Sequence, residues 1–150
     1  MPQYARPISD LIIGDWTPEP LHDRVGGAIP DDLSSIGASG EAPAIIVLSG
    51  VTTPGAGDAI LRVRARHGSQ SAHRGLRAAL LDGDTLISEQ DLSISTSLMT
   101  IAFTVNRAAI TDWANLRVRL TPFDTLGVPE NVVMAGGDPV MAGEDYVVYG

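Results

Sequence analysis

Apolar residues in this chain fall in short runs and strict alternation. Leu61, Val63 and Ala65 alternate with Arg62, Arg64 and Arg66, and Leu116, Val118 and Leu120 alternate with Arg117 and Arg119. A period of two sends the two sets to opposite faces, so both stretches predict half-buried strands. Ile101, Phe103 and Val105 mark the inward side of another strand, residues 100–105. Residues 44–51 are continuous, β-branched and bounded by Pro43 and a Thr-Thr-Pro-Gly turn, as expected of a buried strand. Residues 8–13, after Pro7, predict the first strand. Residues 76–88 read as two strands around Asp82-Gly83-Asp84, because Asp-Gly accepts the positive φ of a tight hairpin. A helix over residues 71–81 is the competing reading, since Ala72, Leu76, Ala79 and Leu80 share a helical face. Residues 92–96 predict a further strand, and Asn106 stands where it could cap a short helix over residues 107–112.

Gly, at 16, and Pro, at 10, are spread between these segments as turn residues. The expected fold is all-β: an antiparallel β-sandwich, jelly-roll-like, of seven or eight strands at roughly ten-residue spacing with one short helix, filling residues 1–122. After Pro122 no period is sustained. Residues 123–150 are expected to form a C-terminal arm or an extra edge strand folded back on the domain. They hold a near-duplication, 133–138 against 140–145, and apolar patches at 132–134 and 146–149 that need something to pack on.

The length of 150 residues suits one domain with its own core, and 44% hydrophobic with 19% charged residues argues against disorder throughout. The net charge is −8, which repels a phosphate backbone, so nucleic acid is not the expected partner. All ten cations are Arg; without Lys there is no amine nucleophile or phosphate-anchoring Lys. With no Cys there is no disulfide, thiolate zinc site or Cys nucleophile. The first ten residues lack the apolar stretch of a secretory signal, and the longest apolar run, 44–48, is too short to cross a bilayer, so no membrane partner is expected.

Catalytic patterns fail one by one. His22, His67 and His73 have no metal-ligand spacing and read as loop or surface imidazoles. Asp31, Asp32, Asp82 and Asp84 read as turn residues, with calcium in a loop as the alternative. Ser49 lacks the Gly-x-Ser-x-Gly frame, and the Gly-rich 50–58 stretch lacks the Lys of a phosphate loop. No cofactor and no enzymatic activity are expected. The Arg rows are the sharpest feature: Arg62, Arg64 and Arg66 should project from one outward face and Arg117 and Arg119 from another, and all five share a surface if the strands are neighbours. Such a row suits an acidic partner or a second copy; the plain alternative is a solvated face of cross-strand Arg–Glu and Arg–Asp pairs. Trp16 and Trp113 are candidate ligand platforms, for a sugar above all, although Trp113 reads first as a plug over one end of the fold.

Arg6-Pro7 followed by Gly14-Asp15-Trp16-Thr17, then Pro30-Asp31-Asp32, a 52–55 turn, the 61–66 strand and a closing segment at 109–120 resembles a group of β-sandwich proteins encoded among bacteriophage structural genes. The resemblance spans residues 6–121 and departs at Asp15, which interrupts the usual Gly-Trp pair, and at 21–29. It implies a virion component, foremost a capsid decoration (cement) protein that binds the assembled shell and stabilises it. The expected partners are then the major capsid protein or another virion protein and further copies of the chain, in a homo-oligomer. The expected interface is the Arg rows plus Val133, Met134, Met141, Tyr146 and Tyr149 of the arm. The alternative is a carbohydrate-binding or host-adhesion module, with a surface glycan on Trp16 or Trp113.

Overall fold

A computed structural model describes residues 3–26, 35–52, 54–68 and 73–124. Among these the chain is all-β, with antiparallel sheets. The strands are β1 (Pro7–Ile12), β2 (Trp16–Thr17), β3 (Gly37–Ala38), β4 (Ala44–Leu48), β5 (Ala59–Ala65), β6 (His73–Asp82), β7 (Thr85–Leu92), β8 (Met99–Val105) and β9 (Leu116–Asp124). One helix, α1 (Leu21–Val25), and a 3-10 turn at Arg107–Ala109 complete the elements.

A five-stranded sheet has the order β1-β4-β9-β6-β7; β5 and β8 form a separate ribbon, and β2 and β3 a short one. The pairing is nested. The β6–β7 hairpin is innermost, β5 pairs with β8 around it, and β4 pairs with β9 around both. The hairpin turns at Gly83, φ +59°, as the Asp-Gly signal predicts. The helical alternative for residues 71–81 gives way to strand because Leu76, Ala78 and Leu80 point to the core at period two while β7 and β9 take the backbone bonds on either side.

The alternations land as expected. On β9, Leu116 and Val118 are buried; β4, expected over residues 44–51 as a strand buried throughout, runs Ala44–Leu48 and fully buries only Ala44, Ile46 and Leu48. Leu61, Val63, Ile101 and Phe103 of the ribbon pack on this same core, with Ala65 and Val105 inside it. Three other elements differ from expectation. The 92–96 strand is absent: β7 runs unbroken to Leu92, and residues 93–98 carry the chain across to the ribbon, with Leu92 and Ile94 both buried. The polar run Ser88, Glu89, Gln90, Asp91 looks like a break in sequence but is an edge strand with its polar side in water. The helix expected over 107–112 stops at Ala109, and Asn106 makes no side-chain cap. Instead the Asp82 carboxylate, at the end of β6, accepts the N–H groups of Thr111 and Asp112 at 2.7 and 2.9 Å and draws the chain out of the turn. Conversely, α1 has no sequence signal of its own, as set out below.

Candidate interaction surfaces

The Arg rows do not meet. β5 lies in the ribbon and β9 in the five-stranded sheet, so the five guanidiniums face two surfaces.

On β9, Arg117 and Arg119 follow the plain alternative. Arg117 Nη1 donates to Asp84 Oδ1 at 2.7 Å and Arg119 Nη2 to Glu89 Oε2 at 2.7 Å. Arg77 of β6 adds a two-pronged contact to Asp91, at 2.6 and 3.1 Å. Ala79 and Leu81 lie opposite Arg119 and Arg117 on this outer face, yet both are buried. The Arg stems roof them while the heads reach acids on the neighbouring hairpin.

On β5, Arg62 and Arg64 are exposed beside Ile60, with Thr100, Ala102 and Thr104 of β8 across from them. Arg64 Nη1 donates to Thr100 Oγ1 at 3.1 Å. Arg66 is exposed just past the strand end. His67 follows, buried rather than at the surface, its ring Nδ1 donating to the Gly68 carbonyl at 2.8 Å.

The two tryptophans are placed differently from each other. Trp16 is 2% exposed, inside the core. Trp113 is half-buried; the Arg107 guanidinium lies over its ring at 5.2 Å, and its carbonyl accepts the Val51 N–H at 2.9 Å. Arg107 also donates to the carbonyls of Gly55 and Gly57, so one cation fastens the 55–57 loop to the Trp113 ring. Of the polar residues flanking Trp113, Asp112 Oδ1 accepts the Ala114 N–H at 3.0 Å, and the Asn115 carbonyl accepts the Gly83 N–H at 2.8 Å. These groups build the turn into β9. Asp15 is equally occupied: its carboxylate accepts the Ala42 N–H at 2.9 Å and its carbonyl the Ser39 N–H at 2.9 Å, which holds the β2–β3 ribbon in place.

Two further features were invisible in the sequence. The first is β1, the edge of the five-stranded sheet, where Ile8, Leu11 and Ile12 are 54%, 50% and 46% exposed. Alternation alone could not place them, because two register shifts along the β1–β4 pair break the face assignment. The second is a cleft of about 1230 Å3 between the layers. Its floor is Ile46, Leu48, Val118 and Leu120. Its wall is every residue of β5 from Ala59 to Ala65, and its far rim is Asp23, Arg24 and Val25 of α1 with the 3–7 segment.

No protein-family model, curated protein or solved structure matches this chain.

Among the described residues no three His, Cys, Asp or Glu side chains gather as a metal site. Val133, Met134, Met141, Tyr146 and Tyr149, with Asp31 and Asp32, lie outside the described residues.

Proposed function

We propose that this protein is a non-enzymatic virion component, a capsid decoration protein that binds an assembled shell and stabilises it, built as an open β-sandwich of the jelly-roll kind. The nested pairing of β4 with β9, β5 with β8 and β6 with β7 supports that architecture, since a jelly roll is a long antiparallel ribbon rolled on itself. The partner is the major capsid protein or a neighbouring virion protein.

The observation that carries the reading is the β1 edge. Edge strands offer unpaired backbone groups, and folded proteins ordinarily blunt them with charge, Pro or a covering element. β1 has Pro7, Asp10 and two register shifts of that kind, and still leaves three large aliphatic side chains, Ile8, Leu11 and Ile12, about half exposed. That combination suits docking against another sheet or strand. A protein that binds only the assembled shell stabilises it by mass action, and many copies multiply the effect.

The test is co-sedimentation of the purified protein with heads and, separately, tails of the parent virion, using Ile8→Asp combined with Leu11→Asp. Both side chains are exposed, so circular dichroism should be unchanged. Head occupancy should fall at least tenfold, about 1.4 kcal/mol or more of binding free energy. Undiminished occupancy, or binding to tails alone, overturns the reading.

A further inference from the structure

We propose that the outward face of the β5–β8 ribbon docks an acidic protein surface, with Arg62 and Arg66 pairing its carboxylates and Ile60 packing beside them. The ribbon is a sheet apart from β1, and this docking does not require a role in a virion.

The platform comes first. β5 and β8 pair without a register shift from Ala59–Val105 to Ala65–Met99. A regular strand pair sends alternate side chains to one face. Leu61, Val63, Ile101 and Phe103 pack inward on the core. Ile60, Arg62 and Arg64 of β5 and Thr100, Ala102 and Thr104 of β8 take the outward face, and all are exposed, Ile60 at 47%. Arg66 is exposed just past the end of β5.

Charge comes second, and the molecule treats its surface Arg residues in two ways. On β6 and β9, Arg77, Arg117 and Arg119 each hold a carboxylate of the β6–β7 hairpin, at 2.6, 2.7 and 2.7 Å. The ribbon supplies no such acid: neither β5 nor β8 contains Asp or Glu, and Ala102 and Thr100 lie across from Arg62 and Arg64. Arg64 donates to Thr100 Oγ1. Arg62 and Arg66 have no hydrogen bond or ion pair among the described residues. Positions 100, 102 and 104 are exposed, so acids there would balance these cations at no packing cost, as Glu89 and Asp91 do on the hairpin. In a chain with 18 acids against ten Arg, their lack leaves two guanidiniums for a partner to pair.

The chemistry of that partner comes third. A guanidinium fork matches a carboxylate with two parallel N–H···O bonds. A long phosphate polymer meets the field of the whole molecule, whose net charge is −8, whereas a protein surface meets the strip locally. Arg is enriched at protein interfaces, and Ile60 adds an apolar contact on the same strip. The short Thr and Ala side chains of β8 let a partner's backbone come close. Arg62 and Arg66 are four residues apart, so the strip fits carboxylates about 13 Å apart at about 3.3 Å per residue.

The experiment is an NMR titration of the full chain with a soluble peptide of alternating Glu and Thr, whose carboxylates follow strand spacing, and in parallel with heparin and a short DNA duplex. Amide shifts should map to residues 60–66 and 100–104. The dissociation constant for the peptide should rise at least tenfold in Arg62→Glu combined with Arg66→Glu. Arg62→Glu alone should weaken binding about threefold or more, while Arg24→Glu, the same change of net charge on exposed α1, should leave it unchanged. Equal losses in these two overturn the proposal, since net charge alone is then being read. No binding, or shifts elsewhere, also overturns it. So does tighter binding of heparin or DNA at the ribbon, which assigns the face to a polyanion. Shifts that appear without peptide as protein concentration rises overturn it in favour of a second copy. Should the double reversal unfold, Arg62→Gln and Arg66→Gln decide: weaker binding in each supports the proposal, and unchanged affinity in either overturns it.

Discussion

At the scale of single residues, the polar groups that hold this fold are carboxylates spent on backbone N–H groups. Asp82 accepts from Thr111 N–H, Thr111 Oγ1–H and Asp112 N–H, at 2.7, 2.9 and 2.9 Å. The Asp112 and Thr111 backbone groups, with the Thr111 hydroxyl, hold its carboxyl below the usual range. Gly75 shows the complementary case, a residue chosen for what it lacks. A Cβ there would stand 2.2 Å from the Phe123 ring, and the Arg77 guanidinium lies over the other part of that ring at 5.6 Å. Gly75→Ala should therefore destabilise the protein by about 1–3 kcal/mol, the range for overpacking a filled site. The denaturant midpoint measures it, and an unchanged midpoint would mean that Phe123 swings aside at no cost.

At the scale of elements, α1 depends on another element for its existence. A helix of five residues is far below the length that is stable alone. Pro20, its N-cap, offers no side-chain acceptor. Asp10 of β1 supplies the cap from outside, accepting the Leu21 and His22 N–H groups at 2.7 and 2.8 Å and the His22 ring at 3.0 Å. Leu21, fully buried, anchors the helix below. Burial of the Asp10 carboxyl pushes its pKa up, but the His22 and Leu21 N–H groups and the His22 ring outweigh that and leave it below 3.8. The folded state then binds this proton less readily than the unfolded state does. The stabilisation is complete above about pH 4, and it is lost as the pH falls through the lowered folded value. Asp10→Asn keeps an acceptor and loses the charge, so it should cost about 0.3–1 kcal/mol at pH 7, and the gap to the parent in urea titrations should close as the pH falls through the lowered folded value. A gap that persists in acid would show that the charge contributes nothing. The same cross-element logic explains what the sequence hid. β5 and β8 are legible because each has one apolar face, and the 44–48 strand because it is an unbroken apolar run. α1 has a single inward residue, and the end of β7 carries acids whose partners, Arg77 and Arg119, lie on other strands.

At the scale of the whole molecule, the rolled pairing decides which surfaces exist. It places β9 between β4 and β6, which brings Arg117 and Arg119 to the acids of the hairpin, and it sends β5 to the other layer, where Arg62 and Arg64 meet Thr100, Ala102 and Thr104 instead. Two rows that look alike in sequence thus come to lie on different sheets, and the β9 row is tied to the acids of the hairpin. Exposed pairs of this kind contribute about 0–1 kcal/mol each, so they set register more than stability.

The sequence by itself determined the class of the fold, most of its strands, the tight turn at Gly83 and which residues of β5, β8 and β9 face inward, because these follow from local chain geometry and the period of two. Tertiary structure alone decided which strands became neighbours, and with that the split of the Arg rows, the burial of Trp16, the capping of α1 by Asp10, and the exposure of Ile8, Leu11 and Ile12 on β1. Those outcomes rest on contacts between residues far apart in the chain, and no local pattern of apolar and polar positions encodes a distant partner.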